Sequence, residues 1–196
     1  WLSGPEDANA MVAVHPNNPD GRIWTAPEIT GDLRIIDESF ADVIPDQSLI
    51  AEAAKPGTII LKSFGKFWGL AGLRLGFAIG DPALIAALQD ALGPWQVSGP
   101  ALQIGAEALA DPQWADETRT RLTADAKRMD DLLEDKGAIT RGGTSLFRLY
   151  EVDDAKAAQA HLAQSKICSR TFPYNGTWLR LGLPAPDRWD QLEAAF

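Results

Sequence analysis

The sequence predicts an α/β layered fold followed by a smaller α+β unit, and three observations carry the prediction. Apolar runs at 10–14, 33–36 and 58–61 are continuous rather than alternating, the pattern of strands buried on both faces of a parallel sheet with helical crossovers. Polar residues close each run: Asn18 lies in the loop after the first, Asp37-Glu38 end the second and Ser63 ends the third. From residue 81 onward helical patterns dominate, then short strands and helices alternate. In open α/β sheets ligands bind outside the carboxyl ends of the strands, so Asn18, Asp37 and Lys66 each follow a functional edge.

The first strand stops at Pro16-Asn17-Asn18-Pro19-Asp20-Gly21, a turn that neither a helix nor a central strand tolerates. Residues 27–31 read as a short helical connection to the second strand. A fourth run, 74–79, follows the third after a connection too short for a parallel crossover, so it is predicted to be antiparallel. Its start then carries Arg74 to the edge where Lys66 lies. Asp81 can cap a helix with Pro82 in its first turn and Leu84, Leu88 and Leu92 on one face, stopped by Gly93-Pro94. A second helix covers 98–110. Asp111-Pro112 repeats the cap signature and opens a long polar helix, with Leu122, Met129 and Leu133 on one side, ending near Gly137. That length marks a connector, dividing the chain into domains at 1–111 and 112–196. Beyond it come a strand at 145–150, a helix at 155–164, strands at 167–171 and 177–183, and a last helix at 188–195.

With 196 residues and 45% hydrophobic composition the chain can bury an ordinary core. A net charge of -9 opposes nucleic-acid and anionic-membrane partners. The single cysteine, Cys168, excludes an internal disulfide and fits a reducing compartment, with the cytoplasm as the expected location. No apolar run reaches the length of a membrane span, and the N-terminus lacks a secretory pattern. The chain opens on Trp1 without an initiating Met, as a processed or truncated piece of a longer protein would.

Chemistry concentrates between Leu61 and Phe77. A lysine can carry an aldehyde covalently, and the Ser63 hydroxyl with the Arg74 fork suits a phosphate on the same molecule. Pyridoxal phosphate has both groups. The plain alternative is a solvated loop lysine among ordinary turn glycines. His15 and His161 lack partners at ligand spacing, so no metal site is expected. Cys168, in a predicted strand without an adjacent base, reads as a packing cysteine, and Trp24, Trp68, Trp95 and Trp178 read as core.

Taken in order, Asn17-Asn18-Pro19-x-Gly21, Asp37-Glu38-x-Phe40, Ser63-x-x-Lys66 and Arg74 resemble the class I/II aminotransferases of pyridoxal-phosphate fold type I, across nearly the whole chain. Within that superfamily, the run from Ser63 to Gly72 and Gly93-Pro94-Trp95-x-Val97-Ser98-Gly99-Pro100 most resemble the threonine-phosphate decarboxylases of cobalamin biosynthesis. Histidinol-phosphate aminotransferases are the runner-up. The resemblance implies the C-terminal part of the large mixed-sheet domain plus the small α+β C-terminal domain, with the N-terminal part of the large domain absent before Trp1.

Carried over by position, the resemblance makes Lys66 the cofactor lysine, which also moves protons, and Asp37 the carboxylate paired with the pyridine nitrogen. It makes Asn18 the donor to the ring phenolate oxygen, Ser63 and Arg74 the phosphate anchors, and Arg180 the residue that binds the substrate carboxylate. Glu38 is expected to be structural. An ordinary lysine titrates near 10.4, so a neighbouring cation, for which Arg74 is the candidate, and desolvation are expected to activate Lys66. Two departures stand out. Phe40 replaces a tyrosine that many relatives use near the phenolate oxygen, and the family's ring-stacking aromatic, further phosphate donors and dimer contacts are not found before Trp1. Weak cofactor binding by residues 1–196 alone is therefore the expectation.

The implied activity is decarboxylation of threonine phosphate to aminopropanol phosphate, by a homodimer. The alternatives are an aminotransferase of the histidinol-phosphate type, an aminotransferase-like sensor domain of a regulator, and an inactive fragment.

Overall fold

The computed structural model describes residues 9–196. By its internal contacts the chain forms two compact units, one holding residues up to Asn17 together with Arg22–Pro112, the other Asn18–Gly21 together with Gln113–Phe196.

The first unit is built on a four-stranded sheet of β1 (Ala10–Val14), β2 (Leu33–Asp37), β3 (Thr58–Ser63) and β4 (Gly76–Gly80), in that spatial order. The first three run parallel and β4 runs antiparallel to β3, with Ser63 opposite Gly76, as the short connection predicts. The sheet is followed by α1 (Pro82–Leu92) and α2 (Gly99–Leu109). Asp81 caps α1 by accepting from the Ala83 amide at 2.8 Å, and its other oxygen takes the Gly57 amide at 2.8 Å. These backbone donors stabilise the ionised carboxylate and lower its pKa.

Three expectations for this unit need correction. Its parallel crossovers are short 3-10 turns, at Ala26–Glu28, Ala41–Val43, Pro45–Gln47 and Ile50–Ala54, rather than full helices. Pro27, Pro45 and Pro56 with Gly31 and Gly57 cut these connections into pieces too short for an α-helix. The sheet is also buried on one face only: Ala13, Ile36 and Ile60 pack with Ile29, whereas Val12 is 66% exposed. Val14, Ile35, Ile59 and Leu61 on that second face are half-buried. Likewise the predicted apolar face of α1 is largely open, Leu92 being 60% exposed.

The second unit begins, apart from its short loop, with α3 (Pro112–Glu134), whose Leu122, Ala126, Met129 and Leu133 are buried at helical spacing. Then come β5 (Ile139–Thr144), β6 (Phe147–Glu151), α4 (Ala155–Gln164), β7 (Arg170–Phe172), β8 (Asn175–Gly182) and α5 (Trp189–Glu193). The sheet order is β5-β6-β8-β7, all antiparallel. Met129, Leu133, Tyr150, Leu162, Leu179, Leu181 and Trp189 form the core. Asp130 ties α3 to this sheet: Arg148 donates to both its oxygens at 2.9 and 2.7 Å and the Tyr150 hydroxyl donates at 2.8 Å. Burial, followed by the hydrogen bond to Asp130 and then its charge, pushes the Tyr150 hydroxyl pKa upward.

Here β5 is an element beyond those expected from the sequence, its Gly142-Gly143 pair being an unusual composition for a strand. Ile167 and Cys168 precede β7 rather than belonging to a strand, and Cys168 is exposed rather than packed. The last helix is shorter than expected, the stretch before it being a 3-10 turn at Pro186–Arg188.

Candidate active site

In the first unit the carboxyl ends of β2 and β3 and the entry to β4 enclose a hollow of about 380 Å³, lined in part by Asp37, Ser39, Ser63, Arg74 and Gly76. Strand alternation produces this selection. Asp37, Leu61 and Ser63 lie on the face opposite to that of the buried Ile36 and Ile60. Gly76 is required by close approach, since a Cβ there would stand 2.8 Å from the Lys62 carbonyl oxygen.

Asp37 is anchored through one oxygen. Oδ1 accepts from the Ser39 amide at 3.0 Å and from the Ser39 hydroxyl at 2.5 Å. No bond to Oδ2 is formed among the described residues, which leaves that oxygen for a ligand. Ser63 Oγ accepts from the Gly65 amide at 3.1 Å and so fixes the start of the turn that carries Lys66.

Lys66 is exposed and does not line the hollow; its ammonium sits 5.4 Å from the centre of the Phe40 ring. Phe40 thus supplies a surface under the lysine where many relatives are expected to carry a tyrosine hydroxyl. Arg74 lies two residues before β4 instead of starting it, in the left-handed region at φ 54°, where it closes the 3-10 turn Ala71–Leu73. Its guanidinium donates to the Ala71 carbonyl at 3.3 Å and is otherwise exposed towards the hollow it helps to line.

Around the Lys66 turn stand Phe64 and Trp68, stacked at 5.7 Å, with Phe67 edge-on to Trp68 at 5.1 Å. Of the tryptophans assigned to the core, Trp68, Trp24 and Trp178 are half-buried. Trp95 is the exception, 95% exposed in the link between α1 and α2.

In the second unit the short loop Asn18–Gly21 seats on β5. The Gly143 amide donates to the Asp20 carbonyl at 2.9 Å, and a Cβ at Gly142 would lie 2.2 Å from that same oxygen. This seating brings Asn18 to β8, where its side-chain oxygen accepts from the Arg180 guanidinium. Arg180 also lies 5.2 Å from the centre of the Phe147 ring, and Arg170 is directly opposite it on β7. Burial first, then repulsion from Arg170, lowers the Arg180 pKa. Its bonded partner here is a neutral amide, so the guanidinium keeps its charge available for an anion.

The sequence reading missed Arg170 as a second cation, Ser39 as the support of Asp37, and the partners of Lys62. A lysine inside the run Ile59-Ile60-Leu61-Lys62 was the available signal, because a charge at a buried strand end requires counter-charges. They are Glu38, fully buried, at 2.7 Å and Asp42 at 3.3 Å. His15 is equally structural: it is fully buried, its Nε2 bonded to the Gln47 carbonyl at 2.8 Å and its Nδ1 accepting from the Trp24 amide at 3.1 Å.

The chain is similar to known proteins over almost its whole length. It is 40% identical over 201 residues to a threonine-phosphate decarboxylase of Pseudomonas aeruginosa, covering 97% of this chain and 60% of that protein. A histidinol-phosphate aminotransferase of Mycobacterium bovis is 32% identical over 177 residues, covering 85% of this chain and 48% of the other. In three dimensions the chain matches the histidinol-phosphate aminotransferase of Sinorhizobium meliloti, solved in complex with pyridoxal-5'-phosphate. That match has a TM-score of 0.85 at 23% identity, over 97% of this chain and 57% of that one. The chain thus spans about 60% of the length of the decarboxylase it matches. The model of the family "Aminotransferase class I and II" matches residues 3–195, and the chain belongs to that family.

Proposed function

We propose that the chain forms the cofactor- and carboxylate-binding part of a pyridoxal-phosphate-dependent decarboxylase acting on threonine phosphate. The observation that carries this is the hollow at the end of β2 and β3, where a carboxylate, a hydroxyl and a guanidinium line one space. This lining fits pyridoxal phosphate, with Asp37 for the pyridine nitrogen and Ser63 and Arg74 for the phosphate; Lys66, on the turn that leaves β3 outside the lining, is the amine for the aldehyde. When bound, the cofactor supplies a sink for the electrons of the bond broken at the substrate's α-carbon.

The remaining work falls to the chain. Ser39 holds the Asp37 carboxylate in place, where it would pair with the pyridine nitrogen of a bound cofactor. Asn18 orients Arg180 in the second unit, and Arg180 takes the substrate carboxylate in bidentate fashion. Arg170, opposite it, adds positive charge suited to a substrate that carries a phosphate as well. In the net reaction the bond between the α-carbon and the carboxylate breaks, carbon dioxide leaves, and a proton delivered from Lys66 Nζ takes its place. The product is aminopropanol phosphate. Decarboxylation is preferred to amino transfer because identity is higher to the decarboxylase, 40% against 32%.

A cytoplasmic homodimer belongs to the same proposal. No described helix is long and apolar enough to cross a membrane, and exposed apolar residues such as Leu92, Trp95 and Leu102 supply surface for a second subunit.

The test is incubation of the protein with pyridoxal phosphate and threonine phosphate while carbon dioxide and a keto-acid amino acceptor are both followed. Carbon dioxide release, abolished in Lys66→Ala, is the expected result. Amino transfer without gas would replace the decarboxylase by an aminotransferase.

A further inference from the structure

The two chemical motifs of the first unit are joined by one half-buried cluster, centred on the fully buried Glu38, that no part of the proposed chemistry uses. Lys62 Nζ lies 2.7 Å from Glu38 Oε2 and 3.3 Å from Asp42 Oδ1. Glu38 also accepts from the Ser48 hydroxyl at 2.7 Å and from the Leu49 amide at 2.5 Å, and Asp42 accepts from the Trp68 indole nitrogen at 3.1 Å.

Each member is one or a few residues from a residue of the proposed site. Glu38 adjoins Asp37, Lys62 adjoins Ser63, and Trp68 is two residues beyond Lys66. Between Glu38 and Asp42 the chain carries Ser39, which anchors Asp37, and Phe40, over which the Lys66 ammonium sits. Strand alternation places Glu38 and Lys62 on the face of Ile36 and Ile60, with Lys62 also at the rim of the hollow that Asp37 and Ser63 line. The cluster therefore braces the site from behind.

Stability alone is a poor reason for such a cluster, because well-packed apolar residues serve a buried position as well as an ion pair does. What the charges add is direction. One ammonium bonded to two carboxylates from a loop admits few arrangements of that loop, and Asp42 extends the constraint to the Lys66 turn through Trp68. We propose that Lys62 is a positioning residue: bridging Glu38 and Asp42, it sets the Asp37 loop and the Lys66 turn in register with each other. This rests on the pyridoxal-phosphate reading above.

The experiment titrates pyridoxal phosphate into the unsubstituted chain, Lys62→Met, Lys62→Arg and Trp68→Phe, reduces with borohydride, and maps the label by mass spectrometry beside a thermal unfolding curve. Lys62→Met is expected to weaken binding by about tenfold and to lower labelling of Lys66, since it leaves the buried Glu38 carboxylate without its counter-charge and frees the Asp37 loop to shift. Lys62→Arg, which can still bridge both carboxylates, stays within about threefold of the unsubstituted chain. Trp68→Phe keeps an aromatic ring beside Phe64 and Phe67 and removes the indole donor to Asp42; it weakens binding by about threefold with a small fall in Tm from the lost ring volume. Should Lys62→Met fail to fold, Trp68→Phe decides. Equal affinity and equal label in every folded variant overturns the positioning role and leaves the cofactor reading standing. No label on Lys66 in the unsubstituted chain overturns both.

Discussion

Glu28 shows how a single side chain is set by its local hydrogen bonds. Its Oε2 accepts from the Thr25 amide and hydroxyl, each at 2.7 Å, and its Oε1 accepts from Arg22 at 2.8 Å. The Thr25 amide, then the Thr25 hydroxyl and Arg22, lower its pKa from 4.5 to about 2. A depressed carboxyl contributes stability above its unfolded pKa and loses it as the pH falls, so this contribution is complete above 4.5 and gone below about 2. Carbon-detected NMR titration should place the Glu28 midpoint near 2, and in Thr25→Ala it should move back towards 4.5. The pattern Thr25-x-x-Glu28 is readable in the sequence, because a capping box involves only residues three apart. His15 is the opposite case. Its partners, Trp24 and Gln47, lie 9 and 32 residues away, and nothing next to His15 in sequence announces them.

Elements were readable where their signals are local. The cap and stop of α1, Asp81 and Gly93, stand where the sequence places them, and the antiparallel β4 follows from connection length alone. β5 carries no strand signal of its own, since two adjacent glycines are poor strand formers, and in the sheet they serve close approach. Gly142, at φ 145°, lets the Asp20 carbonyl come within 2.2 Å of where a Cβ would stand. Gly142→Val should therefore destabilise the second unit by about 2 kcal/mol, the scale of overpacking combined with a strained backbone. Urea denaturation followed by the near-UV signal measures this. The same substitution displaces the loop that holds Asn18 against Arg180, so those two side chains should lose their contact in an NMR structure of the variant.

For the whole molecule, charge is the property that composition decides. With a net charge of -9 and a pI near 4.7, the chain should be least soluble close to pH 4.7 and increasingly soluble above it, as turbidity across a pH series will show. The exposed Val12, Leu92, Trp95 and Leu102 sharpen that minimum, because apolar surface associates once repulsion between molecules is gone. Composition, the antiparallel sense of β4, the cap and stop of α1 and the succession of Asn18, Asp37, Ser63, Lys66 and Arg74 were determined by the sequence itself. They depend on residue type and on spacings of a few residues. Only the tertiary structure decided that the first sheet is buried on one face only, that Lys62 joins Glu38 to Asp42, and that Asn18 meets Arg180 across 162 residues of chain. Such pairings arise when distant segments close on one another, and periodicity along the chain carries no record of that closure.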